Sequence, residues 1–193
     1  NGIPVAIVGA PNAGKSTLLN ALLNEERAIV SDIAGTTRDT IEDEISIGGI
    51  GFRFIDTAGI RDTQDQIEQL GIAKTFEKIQ QAQLVVYMVD LKKCSEDLAV
   101  ITADAAALQK LKETYPKKPL LVLGNKADLI SEAAVAKIKE TITDLSPLSA
   151  KEKEGIESLK EAFLNVVHTG ALHNNDTIVS NSRHYDALLR AQE

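Results

Sequence analysis

This sequence predicts a three-layer α/β domain built on a mostly parallel six-stranded sheet with one antiparallel edge strand. Three observations point there. Short apolar runs alternate with longer stretches of helical periodicity, the pattern of a parallel sheet covered by helices on both faces. The glycine pair Gly48-Gly49 joins two strand-like segments into a hairpin, so one strand runs against the others at an edge. The first apolar run leads into Gly9-Ala10-Pro11-Asn12-Ala13-Gly14-Lys15-Ser16, a G-x-x-x-x-G-K-[ST] loop that links a strand to a helix.

The elements follow in order. Residues 5–8 (Val-Ala-Ile-Val) form the first strand, and residues 15–23 the first helix. Residues 44–47 alternate in polarity and turn at the glycine pair into a strand over 52–55. A helix is expected over 67–81, a strand over 84–89, a helix over 98–114 and a strand over 120–123. A helix over 132–141, a weaker strand over 142–145 and a helix over 156–167 complete the domain. Tyr87 and Met88, within a strand, read as core. Residues 170–177 are polar and turn-rich, a linker, and residues 181–192 begin another helix. The expected division is therefore a globular domain over 1–169, then a linker and the start of a truncated helical domain over 170–193.

Bulk properties narrow the function. The 193 residues are 44% hydrophobic and 25% charged, which suits one soluble domain with a real core. The net charge of −7 argues against a broad nucleic-acid footprint on this chain and leaves RNA contact to another domain. The single cysteine, Cys94, excludes an internal disulfide and fits a reducing, cytoplasmic setting. It lies in the polar stretch 92–95 and reads as incidental. No apolar run approaches the roughly 18 residues that span a bilayer, so no membrane partner is expected. Asn1-Gly2-Ile3-Pro4 leads straight into the first strand, as in a piece cut from a longer protein. His168, His173 and His184 lack metal-ligand spacing. Lys117-Lys118 and residues 151–154 read as solvated faces.

Chemistry concentrates in five segments. In the first, backbone N–H groups of a glycine loop curl around phosphate oxygens, and the helix N-terminus adds partial positive charge. Asn12, Ala13, Gly14, Lys15, Ser16 and Thr17 are its candidate residues. Lys15 can reach the β- and γ-phosphates, and Ser16 can ligate Mg²⁺. The second segment, Ser31-Asp32-Ile33-Ala34-Gly35-Thr36-Thr37, can close over a γ-phosphate, with Thr37 bringing a hydroxyl to Mg²⁺; a polar surface loop is the alternative. The third, Asp56-Thr57-Ala58-Gly59, is D-x-x-G: the carboxylate holds Mg²⁺ through water and the Gly59 N–H senses the γ-phosphate. The fourth is Asn125-Lys126-Ala127-Asp128. Asp128 can accept from guanine N1–H and the exocyclic amine, a donor pair adenine lacks, while Asn125 and Lys126 brace the loop and the base. The fifth, Ser149-Ala150-Lys151, offers a backbone N–H to guanine O6 and counts only by its position.

These five signals together resemble a translation-factor-class GTPase of the P-loop NTPase (Ras-like) fold, and their detail resembles the MnmE (TrmE) family of tRNA-modification GTPases. The residues that carry the finer likeness are those of the glycine loop, Asp32-Ile33-Ala34-Gly35-Thr36-Thr37-Arg38-Asp39, Asp56-Thr57-Ala58-Gly59-Ile60-Arg61, Ile67-Glu68-Gln69-Leu70-Gly71-Ile72 and the tail Ser182-Arg183-His184-Tyr185-Asp186-Ala187-Leu188. Ribosome-assembly GTPases share Pro-Asn-x-Gly-Lys-Ser and Gly-Thr-Thr-Arg-Asp, so an RNA-docking switch of that type is the alternative function.

The resemblance implies GTP hydrolysis with Lys15, Thr37 and Glu68 as catalytic residues. Ile60 stands where Ras-type enzymes place a water-orienting glutamine and cannot accept a hydrogen bond, so water must be held from elsewhere. From the residues alone Glu68 reads first as a solvated first-turn glutamate favoured by the helix dipole, with Gln64, Asp65 and Gln66 beside it; it is the resemblance that assigns it the family's acidic, water-holding role. No arginine finger is evident, since Arg38 and Arg61 also suit loop-bracing ion pairs. The resemblance supplies K⁺ instead, held by Asn12, by backbone carbonyls of Ser31 and Ile33, and by Thr36, when two such domains meet as a homodimer in the transition state. It further implies GTP and GDP as ligands, and, in a full-length protein, an MnmG-type FAD protein and tRNA as partners in modifying the wobble uridine U34. The family's N-terminal tetrahydrofolate-binding domain, most of its helical domain and its C-terminal cysteine motif lie outside this sequence, so this chain alone is not expected to modify tRNA.

Overall fold

The computed structural model describes residues 2–10, 12–30, 43–55 and 72–169. Among these residues six strands form one sheet: β1 (Ile3–Gly9), β2 (Asp43–Ile47), β3 (Ile50–Phe54), β4 (Leu84–Asp90), β5 (Leu120–Asn125) and β6 (Ser146–Pro147). The helices are α1 (Lys15–Val30), α2 (Ile72–Gln81), α3 (Leu91–Glu96), α4 (Leu98–Thr114), α5 (Glu132–Thr141) and α6 (Ile156–His168), and a 3₁₀ turn spans Ala127–Leu129. The strand order is β2-β3-β1-β4-β5-β6. All neighbours are parallel except β2 and β3, which pair antiparallel from Asp43↔Phe54 to Ile47↔Ile50. Gly48 and Gly49, at φ 59° and 83°, supply the two positive φ values that a tight two-residue hairpin turn requires.

Each central strand buries both faces, which is why its sequence is continuously apolar rather than alternating. In β1, Ile3, Val5 and Ile7 face a core with α1 and α6, while Ala6 and Val8 face the opposite core with α2, α4 and α5. In β4, Leu84, Val86 and Met88 share the first core, and Val85, Tyr87 and Val89 the second. Phe52, Phe54 and Phe163 anchor the first, with the Phe163 ring centroid 5.0 Å from Phe52 and 6.4 Å from Phe54.

The chain leaves β1 toward β3 on one side and later reaches β4 on the other. Open α/β sheets take their ligands at such a reversal of strand order, at the carboxyl ends of the strands. The glycine loop leaves the carboxyl end of β1, Asp90 ends β4, Asn125 ends β5 and Ser149 follows β6.

Several expectations are corrected. The helix expected over 15–23 runs to Val30, because Asn24-Glu25-Glu26-Arg27-Ala28 continues without a breaker. The strand expected over 142–145 is displaced: Ile142 and Leu145 are core side chains, 4% and 2% exposed, and the sixth strand is the pair Ser146–Pro147. The polar stretch 92–95 belongs to α3, whose N-cap is Asp90, and Cys94 is buried there at 1% exposure. Its thiol faces Asp104, Sγ to Oδ2 3.8 Å, and the Tyr87 hydroxyl donates to the other carboxylate oxygen at 2.8 Å. Lys118 is no solvated lysine. Its ammonium donates to the Ile79 and Gln80 carbonyls at the C-terminus of α2, at 2.6 and 3.3 Å, and lies 5.2 Å from the Tyr115 ring centroid. The expected linker and final helix over 170–193 lie outside the described residues.

Candidate functional site

The glycine loop crosses from β1 to α1 in a conformation few sequences tolerate. Asn12 sits at φ 66° and Gly14 at φ 102°. A Cβ at Gly14 would overlap the side-chain nitrogen of Asn125, so the carboxamide keeps its place against the loop only with glycine there. Ala13 is fully buried, Asn12 and Thr17 are exposed, and Gly14 and Ser16 are half-buried. Lys15, 8% exposed, donates from its ammonium to the Gly9 carbonyl at 2.8 Å and the Ala10 carbonyl at 3.1 Å. A cation is thus held at the mouth of the loop, in the first turn of α1, where helix-terminal N–H groups add positive potential.

The loop after β5 reaches across to this one. Asn125, 3% exposed, donates from its carboxamide to the Ala13 carbonyl at 2.9 Å. Its carbonyl oxygen accepts from the Ala150 N–H, also at 2.9 Å. Lys126, at φ 72°, donates to the Asn12 carbonyl at 2.8 Å and pairs with Asp90 at 2.9 Å. Two adjacent residues therefore hold two adjacent carbonyls of the glycine loop. Asp128 follows on the 3₁₀ turn with its side chain exposed at the same edge.

The segment after β6 is fastened to β5 by its backbone. The Leu148 N–H donates to Gly124 at 2.8 Å and the Ala127 N–H to Leu148 at 3.0 Å. Ser149 is fully buried; its N–H and carbonyl pair with Glu154, and its hydroxyl accepts from the Glu152 N–H at 3.2 Å. The serine therefore shapes a turn, and Lys151 beside it is exposed. The Ala150 N–H, one of those the sequence offered to guanine O6, is engaged by Asn125.

The structure thus brings together Asn12, Ala13, Gly14, Lys15, Ser16, Asn125, Lys126, Asp128, Ser149 and Ala150 at one end of the sheet. Ser31 to Thr37, Arg38, Asp56, Thr57, Ala58, Gly59, Arg61, Gln64, Asp65, Gln66 and Glu68 lie outside the described residues. Sequence reasoning missed Asp90. It ends a fully buried strand, accepts from the Lys93 N–H at 3.1 Å as the N-cap of α3, and neutralises Lys126 with its other oxygen. An aspartate closing an apolar run just before a helix was the available signal. Among the described residues, no group of three or more His, Cys, Asp or Glu side chains could hold a metal ion. Nor is any described helix long and apolar enough to cross a membrane.

A strand–glycine loop–helix with a lysine at its mouth, buttressed by an Asn-Lys-x-Asp loop from a neighbouring strand, defines a P-loop GTPase domain. The family model described as a 50S ribosome-binding GTPase matches residues 4–126, and the chain belongs to that family. The chain is similar to the tRNA modification GTPase MnmE of Flavobacterium psychrophilum, 62% identical over 99% of this chain and 41% of that protein. The MnmE of Christiangramia forsetii is 58% identical over 100% of this chain and 43% of that protein. Among solved structures, the FeoB G-domain from Methanococcus jannaschii is 27% identical with a TM-score of 0.52, covering 84% of this chain and 96% of that one. The resemblance to the MnmE family drawn from the motifs thus extends along the whole chain, which spans about two-fifths of the length of those curated relatives. The domain is a GTP hydrolase.

Proposed function

We propose that this chain is the GTP-hydrolysing module of a cytoplasmic tRNA-modifying protein, and that its K⁺-stimulated turnover is coupled to pairing of two such domains and drives modification of the wobble uridine U34. The observation that carries the reading is the double clamp of Asn125 and Lys126 on the carbonyls of Ala13 and Asn12. It makes the phosphate loop and the base-reading loop one unit, with Lys15 at one end and Asp128 at the other. Hydrogen-bond donors at the guanine edge would satisfy Asp128, whereas adenine would leave it unpaired.

The roles follow residue by residue. The N–H groups of residues 12–17 receive the phosphates, and the Lys15 ammonium exchanges its carbonyl partners for phosphate oxygens. The Ser16 hydroxyl, half-buried in the first turn of α1, is the hard oxygen donor that Mg²⁺ takes, and Thr37 and Asp56 complete the proposed set. Asn12, an exposed residue of the loop, has an amide oxygen of the kind K⁺ takes, with Ser31, Ile33 and Thr36 as its proposed companions. Bound there, the two cations would offset charge on the phosphate oxygens. Glu68 is proposed to hold the attacking water, since Ile60 cannot. Residues 31–37 and 56–59 would enclose the γ-phosphate and form the face of the homodimer, leaving an MnmG-type FAD protein and tRNA to the rest of a longer chain. A switch that docks on ribosomal RNA is the second reading, favoured by the description of the family model; the MnmE likeness covers more of the chain at high identity.

The test is turnover of GTP in Mg²⁺ with K⁺ and then Na⁺ at equal ionic strength, with ATP as control. The reading expects K⁺ to accelerate GTP turnover and ATP to be left intact. Equal slow rates in both salts would overturn K⁺ stimulation and favour the docking switch.

A further inference from the structure

We propose that Asp90 is a positioning residue of the guanine-nucleotide site, acting through Lys126; the proposal rests on the reading of that site given above. Asp90 is 3% exposed and its two carboxylate oxygens have separate tasks. Oδ1 accepts from the Lys93 N–H at 3.1 Å, capping α3, and Oδ2 pairs with the Lys126 ammonium at 2.9 Å. Lys126 in turn donates to the Asn12 carbonyl at 2.8 Å. The relay therefore runs from the end of β4, through a lysine of the base-reading loop, into the phosphate loop.

The charge of Asp90 decides where that lysine points. Lys126 has a flexible four-carbon stem and its side chain is about one-third exposed, so a single neutral carbonyl would leave it competing with water. A buried carboxylate 2.9 Å away pins the ammonium and is itself neutralised by it, and such charge-assisted bonds are roughly twice as strong as neutral ones. Register reinforces the pairing, because Asp90 and Asn125 are direct partners across β4 and β5, which places Asp90 one residue from Lys126 along the neighbouring strand. Without the carboxylate, Lys126 would release Asn12 and the phosphate loop would keep only the Asn125 half of its clamp.

Asp90→Asn separates the two tasks, because asparagine caps a helix as well as aspartate but cannot neutralise Lys126. Asp90→Ser also retains a capping oxygen, and its side chain is too short to reach the ammonium. GDP and ADP would be titrated with Mg²⁺ into the wild-type chain, each Asp90 variant, Lys126→Gln and the double variant Asp90→Asn/Lys126→Gln. Asp97→Asn, in the cap of α4 and away from the clamp, is the structural control. The expected result is a loss of GDP affinity of about tenfold in either Asp90 variant. Asp97→Asn should bind as wild type, and Asp90→Asn added to Lys126→Gln should change affinity less than about twofold, because two residues of one relay are not additive. Wild-type GDP affinity in both Asp90 variants, or the same tenfold loss in the Lys126→Gln background, overturns the proposal and leaves the nucleotide reading standing. A wild-type chain that prefers ADP or takes up neither nucleotide overturns that reading itself.

Discussion

The carboxamide of Asn125 joins two loops at once, donating to the carbonyl of Ala13 at 2.9 Å while its oxygen receives the N–H of Ala150 at 2.9 Å. Both contacts are buried. Asn125→Ala would strand one donor and one acceptor, each at a cost of about 1–3 kcal/mol. For a domain of this size each kcal/mol lowers the melting temperature by roughly 2–4 °C. Thermal unfolding should therefore show a marked drop, and titration with GDP a loss of affinity, since Ala13 would no longer be held.

Gly14→Ala should fail differently. Its φ of 102° disfavours any side chain, and the added methyl overlaps the Asn125 nitrogen. The variant folds only with the Asn125 carboxamide displaced from Ala13 and the loop backbone strained. GDP binding should fall below detection in a titration that reports wild-type affinity, while circular dichroism retains the signature of the sheet and helices.

Asp128 is exposed and bonds with the described chain are not what keeps it in place. Asp128→Asn should therefore leave the melting temperature within about 1 °C of wild type, as surface substitutions do. Its effect should appear in recognition instead. The variant should lose GDP affinity by roughly 10²-fold, the worth of two bonds to a charged acceptor. It should also gain affinity for xanthosine diphosphate, whose base presents an acceptor where guanine has its amine.

The buried group of Tyr87, Asp104 and Cys94 sets a pH dependence. Burial pushes the Cys94 thiol up from 9.0 to about 12, with the Asp104 carboxylate beside it adding to the rise. A pKa raised on folding means the native state holds its proton more tightly than the unfolded chain does. The stability it contributes is complete below pH 9 and is lost as pH climbs from 9 to 12. Tyr87 moves in the same direction, chiefly through burial, so it adds to the loss in alkali. Asp104 is also raised by burial, against the bonds from Tyr87 and Cys94, so the stability it contributes is present in acid and is lost as pH rises through its raised pKa. Denaturant titrations across pH 8–11 should show falling stability, with a shallower slope in Cys94→Ala. Alkylation of Cys94 in the native chain at pH 8 should be far slower than in the unfolded chain.

The glycine loop, the Asn-Lys-x-Asp loop and the sheet were legible because each is written locally. A strand that is apolar on both faces, a G-x-x-x-x-G-K-S turn and a helix behind it need no distant information, and neither does the Gly48-Gly49 hairpin. What escaped was set by tertiary contact. Ile142 and Leu145 look like strand residues, yet they pack beneath β5 while the strand itself shrinks to Ser146–Pro147, fixed by two parallel pairings. Cys94 sits among polar neighbours and turns inward only because α3 brings it against Asp104. Lys118 and Lys117 are indistinguishable in sequence; the end of α2, 38 residues away, selects Lys118 to donate to its carbonyls, and burial there lowers its pKa. Asp90 was hidden in the same way, since its importance lies in a lysine 36 positions later.

The most direct measurement is competition for bound GDP. The clamp that unites the phosphate loop with Asp128 predicts that GTP displaces GDP at comparable concentration, while ADP at about thousandfold excess leaves it in place, because a missing donor pair costs a polar site several orders of magnitude in affinity. Displacement by ADP at a concentration similar to that of GTP would contradict the account, showing that the phosphate loop binds without reading the base.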